Sequence, residues 1–180
     1  KIADVVLGYT KPEDYFAAGP CAGKWPGRYA HRRALGKFTL DGVEYSLPVN
    51  NGPNHLHGGP EGFQNQVWES RAEGKAVEFQ YFSQDGEAGY PGNLKVVAHY
   101  EWSEDNALRL TFTAQTDKAT VLNLTNHAYF NLDGEGNGNI LDHELRFNAA
   151  VYLPTDETLI PVGEADPVAG TPMDFQEFKK

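Results

Sequence analysis

The sequence predicts an all-β fold, and three observations carry that expectation. Apolar and polar residues alternate at period two through most of the patterned segments, the mark of strands with one buried face. The breaks between those segments are rich in Gly, Pro, Asn and Asp, residues that favour turns. Helix signals are scarce, with only residues 12–17 (PEDYFA) offering a turn or two. Many antiparallel strands joined by such turns belong in a sandwich or barrel.

Taken in order, residues 1–8 (KIADVVLG) read as a first strand. KFTL (37–40) and VEYSL (43–47) flank Asp41-Gly42. An Asp-Gly pair tolerates the positive φ angles of a type I′ turn, so a hairpin is expected there. AVEFQYF (76–82) is the next strand. Residues 94–102 then put Leu94, Val96, Ala98, Tyr100 and Trp102 on one face. SEDN (103–106) turns the chain, and residues 107–114 alternate Leu108, Leu110 and Phe112 against Arg109, Thr111 and Thr113. ATVLNLT (119–125) and residues 144–147 are further expected strands. No repeat, low-complexity tract or charged linker divides the chain, so residues 1–180 are read as a single domain. They are read as part of one, because residue 1 is Lys within a strand-like run and TPMDFQEFKK stops without a terminal element.

Composition narrows the function classes. Apolar residues are 40% of the chain, including 10 Phe, 9 Tyr and 3 Trp, enough for a substantial core. A formal charge of −10 argues against nucleic acid as partner, since that binding rests on Lys and Arg neutralising phosphates. No apolar run of about 18 residues offers a membrane span. Cys21 is the single cysteine, which excludes an intrachain disulfide and any Cys-based zinc or iron–sulfur site. It favours a reducing compartment, the cytoplasm by default.

Three segments carry groups suited to a polyol. GRYAHRR (27–33) holds Arg28, His31, Arg32 and Arg33. Its arginines either form a solvated face or turn one member inward as a fixed donor fork, and the sequence leaves both open. NNGPNHLHGG (50–59) crowds Asn50, Asn51, Asn54, His55 and His57 together, and NHAYFN (126–131) holds His127. Imidazole gives or takes a proton near pH 7, so His57 and His127 suit acid/base work. The plain alternative is a histidine bonded to backbone in a turn. His55 and His57 would lie on one side of an extended segment and so allow a chelate, but no nearby Cys or His-x-x-x-His completes a metal set. SQDGEAGYPG (83–92), with Asp85 and Glu87, reads as a turn-rich connection. Asn123-Leu124-Thr125 matches a glycosylation acceptor inside an expected strand, where coincidence is the better reading.

NNGPNHLHGGPEGFQNQVW resembles the aldose 1-epimerase (galactose mutarotase) family, whose members carry N-x-G-x-N-x-L-H-G-G followed by G-F and a Trp. TNHAYFNLDG is similar to the family's T-N-H-x-Y-F-N-L stretch. LGKFTLDGVEYSL, DGEAGYPGNL, LPTDETLIPVGE and GTPMDF follow the same pattern in order, so the likeness runs along essentially the whole chain. It implies a partial β-supersandwich that interconverts the α and β anomers of free aldoses such as galactose and glucose. It implies no cofactor or metal, a small-molecule sugar as partner, and a monomer or weak dimer.

Residue by residue, His127 matches the family's proton donor and His57 a histidine that touches the sugar, leaving His55 a bystander. Arg32 matches the arginine of G-R-x-A-N-R-I, which binds sugar hydroxyls. Ala128 and Tyr129 follow the donor where the family borders the sugar. His31, in the same substrate-binding segment as Arg32, stands where the family usually has Asn, and Arg33 where it has Ile. CAGKWPG also departs from the family's F-G-x-x-x-G. The family's catalytic glutamate and a substrate-binding aspartate belong to a C-terminal portion with no counterpart here. The 180 residues alone are therefore expected to be inactive. Two other readings stay open: a carbohydrate-binding β-sandwich without turnover, and an epimerase-like protein for hexose 6-phosphates.

Overall fold

Asp41-Gly42 makes the turn its residue types favour. In the computed structural model, which describes residues 3–16, 19 and 21–180, the pair sits at φ 50° and 80°. Both values lie in the left-handed region that a type I′ turn demands. A short strand β1 (Arg32–Arg33) precedes this hairpin of β2 (Lys37–Leu40) and β3 (Val43–Ser46), and β4 (His55–Leu56) returns to pair antiparallel with β1. Leu47, expected in the second hairpin strand, falls just beyond it: its N–H still donates to the carbonyl of the opposite residue, Gly36, at 2.6 Å, but Gly36 has left strand geometry at φ 61°. Phe38, Leu47 and Tyr90 form a buried cluster, with Tyr29, Leu40, Tyr45, Ala88 and Val121 packed around it.

The largest sheet has four antiparallel strands in sequence order: β5 (Glu69–Glu73), β6 (Ala76–Ser83), β7 (Leu94–Trp102) and β8 (Leu108–Thr116). β7 is paired on both sides, and its Leu94, Val96 and Ala98 are fully buried as their alternation requires. Phe63 joins Leu94 and Val96 in a second cluster with Trp68, Tyr81 and Leu124. The face runs out at Trp102, which is 47% exposed. β5 was not expected, because every residue of ESRAE is exposed and the strand has no apolar face to show. It is an edge strand, and its charges discourage pairing with another chain.

Three expected strands do not form. Val6 makes one isolated bridge to Phe130, while Lys1 and Ile2 lie outside the described residues. In 119–125 only Asn123 pairs, parallel to Tyr29, and in 144–147 only Leu145 pairs, with Lys179. Val121 and Leu124 still reach the two clusters. Alternation reports which side of an extended segment is buried, and a ladder needs a partner alongside as well. Of residues 12–17, Pro12–Phe16 is a single 3-10 stretch and Ala17 lies outside the described residues.

The chain groups into two units, residues 24–126 and residues 1–23 with 127–180. The first holds β1 to β8. Among its described residues the second has one small ladder, β9 (Val151–Tyr152) against β10 (Asp166–Pro167), together with isolated bridges, the 3-10 stretch Pro12–Phe16 and many turns. The Asp156 carboxylate, for example, accepts from the backbone N–H groups of Thr158 and Ile160. No helix among the described residues is long and apolar enough to cross a membrane.

Candidate active site

The β1–β4 ladder brings two of the three polyol-like segments together. Its register pairs Arg33 with His55 and Arg32 with Leu56, so the next pair outward is His31 with His57. These two residues bond reciprocally. The His57 N–H donates to the His31 carbonyl at 3.0 Å, and the His31 N–H donates to His57 Nδ1 at 3.0 Å. Both have left-handed backbones, φ 72° at His31 and 53° at His57. Gly58 and Gly59 follow at φ 80° and 82° and carry the chain back on itself.

The amide side chains of NNGPN shape this loop. Asn50 accepts from the Leu56 N–H at 2.7 Å and donates to the Leu56 carbonyl at 3.1 Å, copying a strand neighbour. Buried Asn54 accepts from the Leu35 N–H at 3.0 Å. Asn51 accepts from Arg32 Nε at 2.9 Å and so sets the direction of that guanidinium. His55 is fully buried between the Pro48 carbonyl on Nδ1 and the Tyr90 hydroxyl on Nε2, each at 2.6 Å. A carbonyl only accepts, so Nδ1 carries the proton and Nε2 accepts from Tyr90. Burial pushes the His55 pKa down. With both ring nitrogens engaged, His55 is not available to chelate beside His57. Among the described residues no group of three or more His, Cys, Asp or Glu is placed to hold a metal ion.

The inward-turned arginine is Arg28, a choice the sequence left open. It is 2% exposed. Its Nε and Nη2 donate to Ser83 Oγ at 3.0 and 2.8 Å, Nη2 to the Gln84 carbonyl at 2.9 Å, and Nη1 to the Pro91 carbonyl at 2.8 Å. Burial lowers its pKa, and the Glu87 carboxylate opposes that shift. Glu87 also accepts from the Tyr81 hydroxyl at 2.5 Å and from Ser83 Oγ. The 83–92 connection is thus a turn built around a buried charge, more than the plain turn its glycines led one to expect. Arg28→Met would leave Ser83, Gln84 and Pro91 without their donor. A loss of about 3 kcal/mol or more is expected from urea unfolding, with little rescue by Lys, which lacks the planar fork.

Trp25, in the segment that departs from the family pattern, anchors an aromatic group. Its ring meets Trp68 and Phe79 at centroid distances of 5.0 and 4.9 Å. Its Nε1 donates to the Tyr100 hydroxyl at 2.6 Å, and that oxygen also accepts from Asn126 Nδ2 at 2.7 Å. Asn126, the residue before His127, is thereby tied to β7.

In the other unit, His127, Ala128 and Tyr129 follow one another. The His127 carbonyl accepts from the Gly23 N–H at 3.1 Å, and its ring lies 5.0 Å from that of Tyr129. The Tyr129 carbonyl accepts from the Leu7 N–H at 2.9 Å. The sequence-predicted residues thus fall into two local groups: His31, Arg32 and His57 about the β1–β4 end, and His127, Ala128 and Tyr129 along one segment. Asn51, Arg28, Tyr100 and Asn126 are the supporting residues that sequence reasoning did not single out for these tasks. Asn51 had a signal in its place among clustered amides, and Arg28 in the arginine segment that could turn one member inward.

A family model described as Aldose 1-epimerase matches residues 1–180. Galactose mutarotase from Sus scrofa is 48% identical over 177 residues, covering 98% of this chain and 52% of the relative. Aldose 1-epimerase from Escherichia coli (strain K12) is 40% identical over 179 residues, covering 99% of this chain and 51% of the relative. A crystal structure of a GalM/aldose epimerase homologue from C. elegans matches with TM-score 0.92 and 33% identity, covering 98% of this chain and 54% of that one. Galactose 1-epimerase from Lactobacillus acidophilus NCFM matches with TM-score 0.87 and 36% identity, covering 98% and 53%. The chain spans about half the length of the curated relatives it matches.

Proposed function

The chain belongs to the aldose 1-epimerase family, and on that premise we propose that its protein interconverts the α and β anomers of free aldoses such as galactose and glucose, working in the cytoplasm. The observation that carries this reading is the reciprocal bonding of His31 and His57 beside an Arg32 aimed by Asn51. A guanidinium directed by Asn51 and an imidazole at one strand end suit the binding of sugar hydroxyls and support that reading. A base takes the proton of the anomeric hydroxyl while His127 protonates the ring oxygen. The C1–O5 bond opens to the aldehyde, C1 rotates, and the ring recloses on its other face. Arg32 gives Nε to Asn51, which leaves its two Nη groups for sugar hydroxyls. His57 orients the ring, and Ala128 and Tyr129 border it. The base role goes to none of these 180 residues.

The hexose 6-phosphate alternative loses its main support, since the additional arginines are engaged within the protein. Arg28 is buried, and the Arg33 guanidinium lies 4.9 and 5.2 Å from the ring centres of Tyr29 and Phe38. Polarimetry of freshly dissolved α-galactose tests the proposal. The full-length protein is expected to speed equilibration well above the buffer rate, and the 180-residue chain alone to add almost nothing. A full-length protein that binds galactose without accelerating it would favour the carbohydrate-binding reading. One that prefers galactose 6-phosphate would move the assignment to phosphorylated hexoses.

A further inference from the structure

Asn123 holds the arginine segment by three bonds. It bridges Tyr29 in parallel, and both backbone bonds of that bridge are made. The Asn123 N–H donates to the Arg28 carbonyl at 2.9 Å, and the Asn123 carbonyl accepts from the Ala30 N–H at 2.7 Å. Bonds in a parallel ladder are evenly spaced, so the Ala30 carbonyl would next receive the backbone N–H of Thr125. The Asn123 side chain makes that bond instead, its Nδ2 donating to the Ala30 carbonyl at 3.0 Å. A carbonyl only accepts, so the task needs a side chain with a donor at that reach. The amide that makes Asn123-Leu124-Thr125 look like a glycosylation acceptor thus has a partner within the protein.

Two consequences follow from putting a side chain where the ladder would have backbone. Residues 124–126 are released from the ladder: Leu124 packs against the cluster of Phe63, Leu94 and Val96, and Asn126 donates to the Tyr100 hydroxyl. Residues 28–33, in turn, are held in succession, by Asn123 as far as Ala30 and by β4 beyond it. There the His31 carbonyl accepts from the His57 N–H, and Arg32 pairs with Leu56. The peptide of buried Ala30 joins the two supports, two residues before the guanidinium that Asn51 directs. We propose that Asn123 is a positioning residue for sugar binding, its carboxamide fixing the Ala30 carbonyl so that the backbone carrying Arg32 holds that guanidinium against the sugar.

This rests on the mutarotase reading above, in which Arg32 binds sugar hydroxyls, and adds the residue that holds its backbone. Asn123 acts through Arg32, so its loss should show in binding and not in proton transfer.

The test uses the full-length protein as wild type, Asn123→Asp, Arg32→Ala and the double variant. Galactose affinity is read by calorimetry, and KM and kcat by polarimetry. Asp keeps the size of Asn but turns a carboxylate oxygen toward the Ala30 carbonyl, so a hydrogen bond becomes an opposition of two acceptors. Affinity is expected to fall about tenfold, with KM rising to match and kcat within a few-fold of wild type. In the Arg32→Ala background the same change should cost no more than about twofold, because the group it positions is gone. Asn123→Ala removes the donor without adding an acceptor and should lie between wild type and Asp. It takes the place of Asp in the same comparison if the Asp variant does not fold. An equal loss in both backgrounds, a fall in kcat with KM unchanged, or a lower melting temperature with affinity intact overturns the positioning role. Arg32→Ala without effect on affinity or KM overturns the part given to Arg32, and that of Asn123 with it. A wild-type protein that binds galactose but does not equilibrate it overturns the mutarotase reading alone, and the calorimetric comparison still decides Asn123.

Discussion

His127→Asn in the full-length protein is expected to remove nearly all mutarotation while leaving galactose binding in place. A carboxamide can donate a hydrogen bond but gives up no proton near neutral pH, so the variant keeps a polar contact and loses the acid. A positioned proton transfer is worth about 10²–10⁴-fold, and the polarimetric rate should fall within that range. The bond that ties this residue to Gly23 uses its backbone carbonyl, which any side chain leaves intact. The ring contact with Tyr129 is lost, at about 1 kcal/mol. Calorimetric titration with galactose should thus report binding within a few-fold of wild type. Turnover within a few-fold as well would remove His127 from the acid role.

What the sequence made legible depended on whether the cause was local. Asp41-Gly42 specified its turn because the φ angles are a property of those two residues. Residues 94–102 specified a central strand because both burial and pairing follow from one apolar face. ATVLNLT misled for the complementary reason. Val121 and Leu124 do reach the two clusters, but at three residues apart they lie on opposite sides of an extended segment, and the segment meets neighbouring backbone at an isolated bridge to Tyr29. β5 was invisible because pairing to β6 alone, with no buried side chain, leaves no trace in hydropathy.

In the site, histidines and the LHGG block stood out by type, whereas the roles of the arginines did not. Arg28 and Arg32 look alike in GRYAHRR, and only tertiary partners send one into Ser83 and the other to Asn51. His31 shows the converse. As a departure from the family's Asn it drew attention to sugar recognition. Yet position 31 has φ 72°, and Asn and His are both among the residues enriched at left-handed angles. The backbone demand is common to both, and it accounts for His being tolerated there.

Gly58→Ala is the substitution expected to damage the fold most, and it separates two costs that glycine usually hides together. At φ 80° any Cβ meets the left-handed penalty, about 1–2 kcal/mol. Gly58 adds a contact that no rotamer can relieve, since its Cβ would sit 1.6 Å from the Gly27 carbonyl oxygen and 2.4 Å from its carbon. Gly27 cannot retreat. Its own α-carbon faces Phe63 and Leu124, and its carbonyl is held by the Phe63 N–H at 3.0 Å. The loop must therefore move, taking with it the two bonds between His57 and His31. Gly74→Ala is the control, at φ 58° with open space around the added carbon, and should cost about 1 kcal/mol. For Gly58→Ala a loss well beyond that is expected, with a melting temperature lower by about 10 °C or more. In the full-length protein mutarotation should disappear with it, because the displaced residue is the neighbour of His57. If the two alanine variants melt together, the close approach of Gly58 to Gly27 is not what the double glycine of LHGG is for.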